Sequence, residues 1–169
     1  MSLSKDEQTQ TDRRNMKPLD DYLPYLLNRA GARIAGAFTS VVRDYGLTLP
    51  MWRVLAALNE ADGRRMGELA LRTSIDQSTL SRVVDALERR GLVRRARQDA
   101  DARGVAVHAG EAGRALTAKI VPIALHYETV ALAGFSGPQA KLLKRMLTQL
   151  YRNMDALDAE RAAEARKAG

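Results

Sequence analysis

Met66-Gly-Glu-Leu-Ala-Leu-Arg-Thr-Ser-Ile-Asp-Gln-Ser-Thr-Leu-Ser-Arg-Val-Val-Asp-Ala-Leu-Glu-Arg-Arg-Gly91 decides the fold of this chain. Leu69 and Ala70 anchor a short first helix, Thr73-Ser74 form a tight polar turn, and Ile75 plugs it. Asp76 is placed to cap a second helix with its carboxylate. In that helix Leu80, Val83, Val84 and Leu87 recur at the three- and four-residue spacing of one inward face. Gln77, Ser78, Ser81, Arg82 and Asp85 face outward, and Gly91 stops the helix. Two helices joined by a short turn can lay the second in the major groove of DNA. Ser74, Gln77, Ser78, Thr79, Ser81, Arg82 and Arg89 are the candidate contacts, because such side chains reach phosphates and base edges without bulk. Arg82 alone reads as a solvated helix residue; its setting among Gln77, Ser78, Thr79 and Ser81 favours a groove-facing surface.

Leu92 to His108 reads as a β-hairpin. Short alternating strands around Leu92–Arg95 and Val105–Val107 flank a polar tip closed by Gly104. The hairpin carries Arg94, Arg95, Arg97 and Arg103, with no lysine among its cations. Arginine is favoured where a narrow, negative minor groove is entered. Asp101 stands two residues before Arg103, where its carboxylate can orient the guanidinium. The whole chain has 27 basic and 20 acidic residues, a formal net charge of +7. The segment from Arg64 to Arg103 holds ten arginines against six acids, net +4. The excess favours an anionic partner, and it is concentrated where this unit meets DNA.

Residues 1–17 have almost nothing to bury and read as a disordered tail, with a basic arm through Arg13 and Arg14 as the alternative. Asp20 or Asp21 is expected to cap a long helix with Pro24 in its first turn. Leu23, Leu26, Leu27, Ala30, Ile34, Phe38, Val41, Val42 and Tyr45 mark its apolar face, and Gly46 closes it. A helix of about 25 residues runs about 37 Å, too long for one small domain to cover. Part of its stripe is therefore expected to meet another chain. Thr48 caps the next helix, apolar on nearly all sides, and Asp62-Gly63 turn the chain out. Trp52 is a core anchor or a pocket wall, and one ring serves as both. From Glu111 to Ala133 a helical pattern resumes, with Pro122 expected to kink or interrupt it. Ser136-Gly-Pro-Gln139 has the spacing of a capping box. Leu142, Leu143, Met146, Leu147, Leu150, Met154 and Leu157 then follow near-heptad spacing, fraying from Ala156.

With 169 residues, 46% hydrophobic and 28% charged, the chain is long enough for a sizeable core. It has no cysteine, which removes disulfides, thiolate metal sites and thiol redox sensing together. No apolar run approaches the ~20 residues of a membrane span, and no signal-peptide core is present, so a soluble, cytoplasmic protein without a membrane partner is expected. His108 and His126 are the only histidines, and neither stands in a metal-binding spacing. Neither a phosphate loop nor a nucleophile elbow appears, so no catalytic, metal or cofactor site is expected. A sequence-independent architectural DNA binder accounts for the arginines but not for a patterned recognition helix. A helical protein–protein adaptor is a further rival, one that would show no salt-dependent DNA affinity at all.

Thr48-Leu-Pro-Met-Trp-Arg-Val-Leu55, Gly67-Glu-Leu-Ala70, Ile75 through Arg95, and Asp99-Ala-Asp-Ala-Arg103 resemble the MarR family of winged helix-turn-helix transcriptional regulators over roughly residues 20–155. The resemblance implies a mainly α fold with a small β-hairpin wing and an obligate, roughly triangular homodimer. Residues 18–46 and 110–158 would form a helical dimerisation region, 47–109 the DNA-binding domain, and 159–169 a frayed tail. It also implies repression from a palindromic double-stranded DNA operator and release by a small, often aromatic or phenolic, ligand. A pocket between dimer helices and winged domain is expected from Tyr25, Arg33, Trp52, Arg53, His126 and Tyr127. Its aromatic walls and cations suit an aromatic carboxylate, a phenol or an acyl thioester; ordinary packing or surface placement competes for each residue singly. Two positions depart from the family pattern. Gly110 stands in place of a threonine cap, a change worth a few tenths of a kcal/mol. Met66 occupies a place where a small polar cap is common. The missing cysteine excludes the oxidation-sensing branch.

Overall fold

Local capping decides where most of the helices begin and end. The computed structural model describes residues 18–97 and 105–167. Asp20 and Asp21 do not cap the first helix. They lie in a single 3-10 turn, Leu19–Asp21, and Tyr22 takes the cap position of α1 (Leu23–Asp44) without a side-chain cap bond. The turn consumes the local N–H groups instead: Asp21 donates to the Pro18 carbonyl and Tyr22 to that of Leu19. At the other end Gly46 adopts φ +69°, and its N–H and that of Leu47 donate to the carbonyls of Arg43 and Val42. That pairing satisfies the last carbonyls of α1, and only a residue tolerant of positive φ fits there.

Thr48 caps α2 (Leu49–Glu60), its hydroxyl accepting from the Met51 N–H at 3.4 Å. This helix buries Trp52, Val54, Leu55, Ala57 and Leu58, as its all-round apolar pattern requires. A two-residue strand, β1 (Arg64–Arg65), follows. Then come α3 (Met66–Thr73), α4 (Gln77–Arg89), β2 (Val93–Arg97) and β3 (Val105–Ala109). The strands form one antiparallel sheet in the order β1-β3-β2, with Arg64 opposite Val107 and Val107 opposite Arg95. β1 escapes sequence reading because two arginines carry no alternation. The hairpin strands run two residues further than expected at their C-terminal ends.

Beyond the sheet, α5 (Glu111–Ala131) continues through Pro122, so the second of the two expected outcomes, an interruption, does not occur. The carbonyl that loses its helical donor there belongs to Ala118, an exposed position where water can take its place. The last helix, α6 (Gly137–Lys167), runs well past Ala156. Its final turns are rich in Ala, Glu, Arg and Lys, strong helix formers that need no packing partner to favour the conformation.

The chain divides into two compact units at Tyr127 and Glu128. The first centres on fully buried Leu55, Leu58, Leu69, Leu80, Leu87 and Ile120. Removing one such leucine side chain costs about 2–5 kcal/mol. Gly110 and Gly113 let the start of α5 lie against the backbone of Gly91 and Leu92. A Cβ on Gly113 would stand 2.0 Å from the Leu92 carbonyl oxygen, and one on Gly110 2.7 Å from that of Gly91. Gly110, whose carbonyl accepts the first helical bond from Arg114, is thus also a point of close approach. In the second unit Ser136 and Gln139 form the expected capping box, each accepting the other's backbone N–H. Lys144 pairs with Glu128 at 2.5 Å. No helix among the described residues is long and apolar enough to cross a membrane.

Candidate nucleic-acid interface

The turn before α4 is made by Ser74 in the left-handed conformation, φ 53° and ψ 40°. It re-aims the chain so that Asp76 reaches the first turn of α4. The Asp76 carboxylate accepts from the Ser78 hydroxyl at 2.7 Å and from the Thr79 N–H at 2.9 Å. Those two bonds, the hydroxyl first, hold its pKa down at about 2. Glu68 plays the matching part at α3, accepting the Arg65 N–H at 2.8 Å, which makes a polar side chain at Met66 unnecessary.

Leu80, Val84 and Leu87 are buried, which turns the opposite face of α4 to solvent. Gln77, Ser78, Ser81, Arg82 and Arg89 are exposed on that helix, Ser74 is exposed in the turn, and Thr79 is half-buried. Between them, the six exposed side chains can donate and accept hydrogen bonds, with two guanidiniums for phosphates.

The hairpin arginines separate. Arg94 is exposed, while Arg95 shares the inner face of β2 with buried Val93. Its Nη1 donates to Glu88 at 2.5 Å, its Nη2 to Asp85 at 2.6 Å, and its backbone N–H to Glu88 at 2.9 Å. Arg95, expected to contact DNA, is engaged by two carboxylates of α4. Its N–H, and then its guanidinium, hold the Glu88 carboxyl below the usual range. Strand alternation held this information, since Val93 and Arg95 are two residues apart. Arg97 ends β2, whereas its side chain, Asp101 and Arg103 lie outside the described residues.

The wing is tied to the domain at a second point that sequence reading missed. Asp62 accepts the Ala109 N–H at 2.8 Å, and its other oxygen lies 3.3 Å from His108 Nδ1. Nothing local marks this pairing, because its partners are 46 and 47 residues apart.

Of the six expected ligand residues, Trp52 and Arg53 line one open cleft of about 290 Å³, with Ala56, Ala57, Glu60, Arg72 and Thr73. Two of these lining residues are joined, Arg72 donating to Glu60 through two 2.6 Å bonds. Tyr127 and Trp52 both pack on Phe38, whose ring centre lies 5.5 Å from Tyr127 and 5.7 Å from Trp52. Tyr25, Arg33 and His126 do not line the cleft. No spacing links Arg72 with Trp52 along the chain.

A model of the MarR family matches residues 45–104. The chain is 33% identical to the HTH-type transcriptional regulator TtmR of Methylorubrum extorquens over 69% of its own length, and spans 60% of that protein. It is 30% identical to the HTH-type transcriptional repressor Mb2911 of Mycobacterium bovis, covering 78% of this chain and 94% of the relative. A MarR-family regulator from Silicibacter pomeroyi has a similar structure: TM-score 0.74, 31% identity, 81% of this chain and 92% of that one. CouR from Rhodococcus jostii, solved bound to p-coumaroyl-CoA, aligns with TM-score 0.73 and 26% identity over 80% of this chain and 95% of its own. Bordetella bronchiseptica BpsR, whose DNA binding is regulated by 6-hydroxynicotinic acid, gives TM-score 0.68 and 28% identity over 76% and 98%.

Proposed function

Because the chain belongs to the MarR family of winged helix-turn-helix transcriptional regulators, we propose that it binds a palindromic DNA operator as a homodimer, represses from it, and is released by a small aromatic anion. The observation that carries the DNA reading is the exposed polar face of α4, with Gln77, Ser78, Ser81, Arg82 and Arg89 turned to solvent opposite a buried leucine-valine face. Exposed Arg94 adds a cation, and Arg97, Asp101 and Arg103 are retained as contacts on the sequence alone. Arg95 is not among them. A two-fold dimer sets two such helices about 34 Å apart, one turn of DNA, so the operator repeats with the protein's symmetry.

The test is a competition at matched salt between a palindromic duplex, selected by the protein from a random pool, and random duplex. The expected preference is about 10³-fold or more. Equal affinities would identify a sequence-independent architectural binder. Arg82→Ala is expected to weaken binding and, if the side chain meets phosphate, to lower the salt slope by about one. Unchanged affinity removes Arg82 from the interface.

Support for the ligand comes from the cleft, which Trp52, an aromatic wall, and Arg53 line together with Arg72, the last already paired with Glu60. The aromatic thioester of CouR and the pyridine acid of BpsR are compounds of the kind that such a wall and cations favour. Trp52 is the single tryptophan, so its fluorescence reports the cleft. Titration with p-coumaroyl-CoA, 6-hydroxynicotinic acid and benzoate is expected to quench it and release DNA for at least one compound. No response to any of the three, in either signal, counts against the cleft.

A further inference from the structure

We propose that Arg95 is a positioning residue for DNA binding: clamped between Asp85 and Glu88, it fixes the wing sheet to α4 and does not itself touch DNA. This rests on the reading of α4 as the DNA-facing helix. Three hydrogen bonds of 2.5, 2.6 and 2.9 Å join the one residue to the two carboxylates. One of them comes from the main chain, so the strand itself is held and not only a side chain. β2 is an edge strand, and the N–H that Arg95 turns away from β3 is the one Glu88 receives. Arg95 lies opposite Val107, and Val107 lies opposite Arg64 of β1. Holding Arg95 therefore holds the middle of the whole sheet against α4.

Charge argues the same way. Asp85 and Glu88 stand one helical turn apart and continue the stripe that begins with Ser78, Ser81 and Arg82. If Arg95 swung out to a phosphate, two bare carboxylates would be left beside a polyanion. A guanidinium engages both at once through its planar fork, which an ammonium cannot do.

The two accounts of Arg95 predict opposite signs. If charge alone matters, Asp85→Asn with Glu88→Gln removes two negative charges from a DNA-facing surface and tightens binding. If the clamp matters, the same pair weakens binding about tenfold, within what one coupled network supplies. Arg95→Met should weaken it equally, and the triple variant no further than either. Arg95→Lys keeps the charge and is the milder test of folding; it should lose nearly as much as Arg95→Met. All are measured in the full chain on a duplex selected by the unmodified protein, at several salt concentrations, alongside thermal melts. Equal or tighter binding by the Asp85/Glu88 variant overturns the clamp, as does full affinity in Arg95→Lys. Lower melting temperatures with unchanged affinity and salt slope overturn it too, since Arg95 would then serve the fold alone. An unmodified protein that enriches no duplex overturns the DNA reading and the clamp together.

Discussion

Asp76 does its work as an anion. Its carboxyl ordinarily titrates near 3.8, and the Ser78 hydroxyl, followed by the Thr79 N–H, lowers that to about 2. A depressed carboxyl stabilises the fold fully above its unfolded value and loses that contribution as pH falls through its folded one. The gap in melting temperature between the unmodified chain and Asp76→Ala should therefore be constant above pH ~4 and close between there and pH ~2. A gap independent of pH would mean that the carboxylate is not the cap. Gly113 presents the steric counterpart. Its missing Cβ would meet the Leu92 carbonyl at 2.0 Å, and that neighbour is backbone, which cannot rotate away. Gly113→Ala is expected to cost about 1–3 kcal/mol in denaturant unfolding. A cost near zero would show that the start of α5 shifts freely. Neither contact distance is visible in sequence, where Gly113 reads only as one more small residue in a helix.

At the scale of elements, the pieces with strong local signals were legible: the helix-turn-helix from apolar spacing, α4 from its cap, α1 from its closing glycine. Composition does not show that Arg95 stands apart from Arg94, because it has magnitude but no direction. Four arginines counted together make a patch, whereas strand alternation puts Arg94 and Arg95 on opposite faces. β1 was missed because two residues are too few for any period to register. Pro122 does not interrupt α5. An internal proline is costly, but the helix survives where its neighbours leave the unpaired carbonyl of Ala118 to water. On this account Pro122→Ala restores a helical bond and raises the unfolding free energy by up to about 3 kcal/mol. An unchanged or lower midpoint in denaturant would show that the proline is not a strain on α5.

For the molecule as a whole, a single copy leaves apolar surface bare. No described residue of α6 is buried, and Leu142, Met146, Leu147, Tyr151, Met154 and Leu157 are 41–58% exposed along it. On α1, Leu23, Leu26, Leu27 and Ile34 are 39–49% exposed. Isolated side chains of this kind are ordinary, but continuous stripes at helical spacing on two helices are what an interface leaves behind when one partner is absent. The spacing of both stripes was readable in the sequence; what covers them was not, because one chain's pattern is silent about its partner. If a second copy covers them, the pairing also links two recognition helices, and linked sites gain about 10²–10⁴ in affinity without any new contact to DNA. Leu147→Asp with Met154→Asp changes nothing on α4 or the sheet. It should convert a dimer to a monomer in sedimentation velocity and weaken binding to a palindrome by about a hundredfold or more, while leaving affinity for an isolated half-site unaltered. A variant that sediments as a monomer yet binds the palindrome at full strength would uncouple dimerisation from recognition. An unmodified chain that is already monomeric would leave these stripes to a different partner.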